Sequence, residues 1–192
     1  MHWSMIGGNN VNNKYSAFGK AGIRPTGYDF FTTMLEPARN YGKYPPPGAM
    51  GFTTSYPDME AAPGGAYWGN SFRPVVPFVI ERGRWYCFEA MVKLNTPGLP
   101  DGEQAFWIDG TKILHARNIR WRNSELLKLN FFWFCVYIHQ ATRDNTCWYD
   151  DLVISTEYVG PLDGETPASP QSYDFNLDGE ITTADVLLLM LM

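Results

Sequence analysis

Residues 85–110 read WYCFEAMVKLNTPGLPDGEQAFWIDG, and this stretch contains two predicted strands joined by turn residues. In the first, Trp85–Leu94, apolar residues recur at every second position, the period at which side chains of a β-strand share one face. We assign to the core Phe88, Ala90, Val92 and Leu94. The Pro, Gly, Asn and Asp that follow favour tight turns, and Glu103–Ile108 is the second strand. The stretch predicts neighbouring antiparallel strands.

The rest of the first 159 residues follows the same pattern. Asn130–Gln140 and Thr146–Ser155 are further predicted strands, and no long helical period separates them. Short strands linked by turns predict an all-β fold, an antiparallel β-sandwich or jelly roll. Residues 1–80 are rich in Gly and Pro and predict long loops around a few strands.

The residues opposite the predicted core row combine aromatic and titratable side chains. On the strands named above they are Cys87, Glu89, Met91, Lys93, Trp107, Trp133, Cys135, Tyr137 and His139. A sandwich buries only one face of each sheet, so these side chains are available for binding. Aromatic rings stack on the C–H faces of sugars, and polar side chains bind hydroxyl and carboxylate groups. This composition predicts a carbohydrate site, with Trp107 and Trp133 as stacking residues.

The spacing of the central strands is similar to a known family. The run G-x-W, E-x-x-V-K-x-N-T-P-G, D-G and W-x-D-G between Gly83 and Gly110 resembles concanavalin-A-like jelly rolls, especially alginate and glucuronan lyases. The sequence from Trp148 to Ser155 resembles the closing strand of that fold. The resemblance spans roughly residues 83–160. It implies a jelly roll and activity on a polysaccharide.

A polysaccharide lyase neutralises a uronate carboxylate, removes the C5 proton and protonates the leaving oxygen. We predict Tyr137 and His139 as the acid–base pair, because two residues apart on a strand they share a face. Lys93 is the predicted neutralising cation, with Glu89 beside it. Packing roles for Tyr137 and His139, and a same-strand salt pair between Glu89 and Lys93, are the alternatives.

A basic stretch follows the second strand. Its cations are Lys112, His115, Arg117, Arg120, Arg122 and Lys128, with Glu125 as the opposing charge. We predict a solvated loop here, and steering of a polyuronate is the alternative. Arg120 and Arg122 are accordingly candidate substrate-binding residues.

Residues 174–185 read DFNLDGEITTAD and carry oxygen-bearing residues at the spacing of a calcium loop. The predicted Ca²⁺ ligands are Asp174, Asn176, Asp178, Glu180 through its backbone carbonyl, Thr182 and Asp185. Residues 184–192 are strongly apolar and predict a helix after the loop. The pattern resembles one calcium-binding repeat of type I dockerins, which implies a cohesin-like scaffold protein as a partner.

The chain divides into three parts. Residues 1–159 form the predicted sandwich, which we expect to be truncated at its N-terminus, residues 160–172 a Pro/Gly/Ser linker, and residues 173–192 an incomplete calcium repeat. The nine acidic residues from Asp150 onward are accompanied by no Lys or Arg, whereas residues 1–149 hold 15 basic against 20 − 9 = 11 acidic residues. This mildly basic body argues for an anionic ligand and against nucleic acid, and no apolar run predicts a membrane span.

The sequence therefore predicts a secreted carbohydrate-active module that depolymerises a uronic-acid polymer by β-elimination. Three alternatives stay open. They are a glycoside hydrolase on the same fold, a non-catalytic carbohydrate-binding module with Trp107, Trp133 and Tyr137 as its platform, and an interaction protein in which the sandwich is a spacer.

Overall fold

The structure, a computed structural model, describes residues 2–8, 17–40, 42–136, 144, 146–161 and 185–191. The strands of these ranges are, in order, β1 (His2–Gly8), β2 (Phe30–Ala38), β3 (Ala49–Ser55), β4 (Asn70–Phe72), β5 (Cys87–Lys93), β6 (Gly102–Ile108), β7 (Thr111–Ile119), β8 (Lys128–Cys135), β9 (Asp150–Ser155) and β10 (Asp185–Leu191). No α-helix occurs in the described ranges, and none of their segments is a helix with the length and apolar composition needed to cross a membrane.

The strands form two antiparallel sheets. Sheet 1 has the order β4-β3-β2-β1-β8, and sheet 2 has the order β7-β6-β5-β10-β9. The all-β antiparallel architecture predicted from the strand and turn pattern is confirmed. The four predicted strands correspond to β5, β6, β8 and β9, and the first 80 residues supply four more strands, all in sheet 1.

The two sheets face each other across one apolar core. Ring pairs join them, since Trp3 of β1 meets Phe88 of β5 at 4.8 Å between centroids and Phe52 of β3 meets Phe106 of β6 at 5.5 Å. The predicted inner row of β5 is buried. Burying apolar side chains from both sheets removes their surface from water, which is the main free energy holding such sheets together.

One polar group crosses the core. Gln104 of β6 is fully buried, and its side-chain oxygen accepts hydrogen bonds from the hydroxyls of Thr33, at 2.7 Å, and Thr54, at 3.2 Å. Because these groups satisfy one another, the buried amide does not carry the full cost of desolvation. The contact fixes the position of sheet 2 against β2 and β3 of sheet 1.

The first part of the basic stretch, from Lys112 to Arg117, lies in strand β7 and not in the predicted solvated loop, whereas Arg120 and Arg122 follow β7 and Lys128 begins β8. β7 pairs with β6 after a turn in which Asp109 and Gly110 both have positive φ, 49° and 75°. The register shifts at two places, so the alternation of polar and apolar residues along β7 is interrupted. A bulged edge strand that carries charged side chains is a common way to end a sheet. The interrupted alternation is why the sequence pattern predicted a loop.

Asp185–Leu191 forms β10 and not the predicted helix. β10 lies between β5 and β9 and pairs with both, with Asp185 opposite Lys93 and Leu188 opposite Ala90 and Ile154. A strand flanked on both sides satisfies its backbone through the neighbouring strands. This tertiary pairing outweighs the helix propensity of an apolar segment.

The Asn-Thr-Pro-Gly turn after β5 is held by a buried side chain. Asn95, 1% exposed, accepts hydrogen bonds on Oδ1 from the backbone N–H groups of Trp121 and Arg122 at 2.8 and 2.9 Å. Its Nδ2 donates to the carbonyls of Thr96 and Arg122. Asp101 accepts the Thr96 N–H at 2.8 Å. The Asn and the Asp of the N-T-P-G and D-G motifs thus join β5, β6 and the segment after β7.

Candidate functional site

The predicted site residues lie on both outer faces of the molecule. Lys93 and Glu89 project from β5 on the side of sheet 2 opposite Val92, which faces the core. Trp133 projects from β8 on the side of sheet 1 opposite Phe132 and Phe134, which pack on the same core. Facing sheets are about 10 Å apart. Lys93 and Trp133 therefore do not share a site, and the prediction that joined them is wrong.

The outer face of sheet 2 is covered near Glu89. The carboxylate of Glu89 accepts the backbone N–H groups of Val159 and Gly160 at 3.1 and 3.2 Å. Trp107 pairs with Glu89 and shares its face of the sheet, as predicted for the face. The ring of Tyr158 packs on Trp107, 5.4 Å between centroids, so Trp107 lies under this segment. Burial raises the pKa of Glu89 to about 7, against the two backbone hydrogen bonds that lower it. Glu89 holds the chain after β9 in place.

Lys93 has a partner on the next strand. Its Nζ lies 3.4 Å from Glu103 Oε1, and Glu103 also meets His115 Nε2 and, at 3.4 Å, Arg117 Nε. The same-strand salt pair with Glu89, the alternative considered above, is not the pairing that the described residues show. Burial alone would raise the pKa of Glu103, but the hydrogen bond from His115 and the charge of Lys93 outweigh it and the pKa lies below its usual value.

The outer face of sheet 1 carries an exposed group of aromatic rings. Trp133 of β8 is 41% exposed and stacks on Phe18, which is 43% exposed, with centroids 5.2 Å apart and an interplanar angle of 23°. Phe18 also meets the edge of Phe131 at 5.9 Å. The two rings stack on each other and stay partly exposed, so they form an apolar patch on which the C–H face of a sugar ring can pack.

Residues 17–27, which we call the strap, reach from these rings towards the opposite edge of sheet 1. At one end Phe18 packs on β8, and further along Gly22 accepts the N–H of Tyr67 at 3.0 Å. Gly22, with φ 80°, leaves room for the ring of Trp68, which is 61% exposed. Trp68 is thus a second exposed indole, near β4.

Polar groups lie on the same side of sheet 1, on β2, β3 and after β4. Glu36 accepts the hydroxyl of Thr53 at 2.5 Å and lies 3.8 Å from the guanidinium of Arg73. Arg73 donates to the carbonyl of Phe52 at 2.7 Å. Gly51 makes this possible, because a Cβ there would lie 2.4 Å from the Arg73 side chain. We call the set Phe18, Trp68, Trp133, Glu36, Thr53 and Arg73 the aromatic face.

Tyr137 and His139, the predicted acid–base pair, lie outside the described residues. β8 ends at Cys135, whose backbone pairs with His2 of β1, next to the aromatic face. The assignment of Tyr137 and His139 to acid–base roles stays a prediction.

Arg120 and Arg122 have structural partners. Arg120 donates to Asp58, with 2.9 Å from Nε to Oδ2, and this hydrogen bond lowers the pKa of Asp58. Arg122 is buried and donates to the carbonyls of Asn95 and Leu127 at 3.1 and 3.2 Å. These two arginines tie loops together, and neither lies on the aromatic face.

The predicted calcium ligands from Asp174 to Thr182 lie outside the described residues, and Asp185 begins β10. In the ranges that the structure does describe, no group of three or more His, Cys, Asp or Glu side chains could hold a metal ion. The calcium prediction therefore still rests on the ligand spacing in the sequence.

Sequence reasoning missed Phe18, Trp68, Glu36 and Arg73. The outward position of Glu36 could have been predicted from the sequence, because Thr32, Met34 and Glu36 alternate along β2 with the buried Phe31, Thr33 and Leu35. Phe18 and Trp68 lie outside strands, so no periodicity could place them.

No protein-family model, curated protein or solved structure matches this chain. The fold and the site therefore define a class only. It is an all-β protein of two antiparallel sheets, in which the outer face of sheet 2 is covered near Glu89 and the outer face of sheet 1 carries exposed aromatic and polar side chains.

Proposed function

We propose that this protein is a secreted carbohydrate-active module of the concanavalin-A-like jelly-roll type, and that it binds a polysaccharide on the aromatic face. The observation that carries the proposal is the exposed Phe18–Trp133 stack on the outer side of sheet 1. Rings of this kind bury the C–H face of a sugar, while neighbouring hydroxyl, carboxylate and guanidinium groups bind its substituents.

Within this class the proposed reaction is β-elimination in a uronic-acid polymer. A base removes the C5 proton, the C4–O bond breaks as the C4–C5 double bond forms, and an acid protonates the leaving oxygen. Tyr137 and His139 supply the base and the acid. Arg73 replaces Lys93 as the cation that draws charge from the carboxylate, because it lies on the outer side of sheet 1 and Lys93 does not.

Retention in gels containing neutral or uronic-acid polysaccharides tests the binding step. Trp133→Ala should weaken retention about tenfold, because it removes half of the ring stack. Trp148→Ala is the matched control, since Trp148 is 68% exposed and precedes β9 of sheet 2. Equal retention of the two variants and the wild type would remove the aromatic face as the binding site.

The same polymers test the reaction. The ultraviolet absorbance of the unsaturated product should rise on incubation, and Tyr137→Phe should slow this by roughly a hundredfold without weakening retention. Reducing ends without that absorbance would instead indicate a glycoside hydrolase.

A non-catalytic binding module is the second candidate, and one observation favours it. The titratable groups in the described part of the aromatic face are Glu36 and Arg73, which lie 3.8 Å apart and face each other. A polymer that is retained but not cleaved would support this function.

We also propose that residues 174–185 bind Ca²⁺, which would bring six oxygen ligands together, and that a cohesin-like scaffold binds this segment. Calorimetric titration should show one Ca²⁺ site in the wild type and none in Asp178→Ala, because Asp178 is a predicted side-chain ligand. Mg²⁺ should compete poorly. An absence of heat in the wild type would contradict the site.

A further inference from the structure

We propose that the β7 edge of sheet 2 is a second binding surface, specific for an acidic polysaccharide chain. Its groove meets the aromatic face at Arg73, which belongs to both. The inference rests on the proposed function for the class of ligand, whereas the two cations that it depends on, Lys112 and Arg117, lie on β7 and outside the aromatic face. We call Lys112, His115 and Arg117 the β7 strip.

A groove of about 530 Å³ borders this strip. Its walls are residues 73–78 on one side and residues 112–115 of β7 on the other. The first wall projects into solvent, since Val75 is 100% and Val76 79% exposed. The groove is mainly apolar, and Arg73, Lys112 and His115 are the charged or titratable side chains in its lining.

The strip is cationic after its internal pairs are counted. Glu103 is the carboxylate that pairs with it, and it faces Lys93 and His115 as well as Arg117. Arg117 keeps 68% of its side chain exposed. Lys112 is exposed and lies over the ring of Trp107, 5.4 Å from its centroid, which holds the ammonium group at the outer surface.

A chain of carboxylated sugars matches both properties of the surface. Its carboxylates would lie against Lys112 and Arg117, and the C–H faces of its rings against Val75 and Val76. Outward side chains two positions apart on a strand are about 6–7 Å apart, so His115 and Arg117 have a spacing comparable to a sugar unit, and Lys112 lies further along the strip. A neutral chain would gain the apolar contact alone. The attraction would be electrostatic and would weaken as salt screens it.

The test compares the wild type with the double variant Lys112→Gln/Arg117→Gln in binding to alginate or polygalacturonate over a series of salt concentrations. We expect a loss of about fivefold or more at low salt, a flatter salt dependence, and unchanged binding of a neutral polymer. Arg39→Gln/Lys43→Gln is the matched control. It removes the same charge from exposed positions, and Lys43 likewise lies over an aromatic ring, that of Tyr44, at 5.3 Å.

The outcomes separate this inference from the proposed function. Trp133→Ala probes the aromatic face. If the β7 double variant loses binding and Trp133→Ala does not, the β7 strip is supported and the aromatic face is contradicted. Equal binding by the double variant and its control would overturn the inference. So would retention of DNA that is as strong as that of the acidic polysaccharide and is lost in the same double variant, because the occupant would then be a nucleic acid.

Discussion

Asn95→Ala should lower the free energy of unfolding by about 3–5 kcal/mol, measured by urea denaturation. The side chain makes four hydrogen bonds to the backbone of Thr96, Trp121 and Arg122, and the three to Trp121 and Arg122 are buried. Alanine removes the side-chain oxygen and nitrogen to which these backbone groups bond, so buried N–H and C=O groups lose their hydrogen bonds.

Asn130→Ala is the control for this change. Asn130 makes one long hydrogen bond, 3.3 Å to the carbonyl of Gly8, and is exposed, so its replacement should cost less than about 1 kcal/mol. A comparable loss of stability in the two variants would show that the buried hydrogen bonds of Asn95 contribute no more to stability than the exposed one of Asn130. A large loss of stability in Asn95→Ala alone bears on function as well, because the N-T-P-G and D-G spacing would then report the fold and not the chemistry.

Leu188→Pro should destabilise the protein by about 3 kcal/mol or more, because proline removes an N–H from a strand that has neighbours on both sides. Leu188 pairs with Ala90 of β5 and Ile154 of β9. Amide hydrogen exchange should show that residues 185–191 are protected in the wild type, and carbon chemical shifts should show strand values there. Both signals should disappear in the variant.

Ser172→Pro serves as the control, since it introduces the same residue into the tail outside β10. Equal stability of Leu188→Pro and Ser172→Pro would contradict the pairing of β10. Helical chemical shifts over residues 185–191 would restore the helix that the sequence predicted.

Local alternation was enough to find most of the strands of sheet 2. Phe88, Ala90 and Val92 recur at every second position beside strong turn residues, so β5 and its buried face could be predicted from the sequence. β7 was not predicted as a strand because its bulges interrupt the alternation of polar and apolar residues. β10 was not predicted as a strand because a continuous apolar run fits a helix and a central strand equally. Only pairing with neighbouring strands distinguishes the two.

The site was less predictable than the fold. Alternation separates the two faces of one strand, but it does not say which outer face of a two-sheet molecule a residue occupies. Lys93 and Trp133 were both correctly placed away from the core, yet they belong to different sheets. Arg120 looked like a ligand-binding cation, and its partner Asp58 lies 62 positions away in the sequence.

The sequence by itself determined the all-β class, the core row of β5 and the division between a mildly basic body and an acidic tail, because these depend on composition and on neighbours a few residues apart. The tertiary structure alone decided that Glu89 holds the chain after β9, that Phe18 stacks on Trp133, and that Arg73 shares a face with Glu36. Each of these contacts joins segments far apart in the chain, and they meet because the order of the strands within each sheet places them on the same outer face.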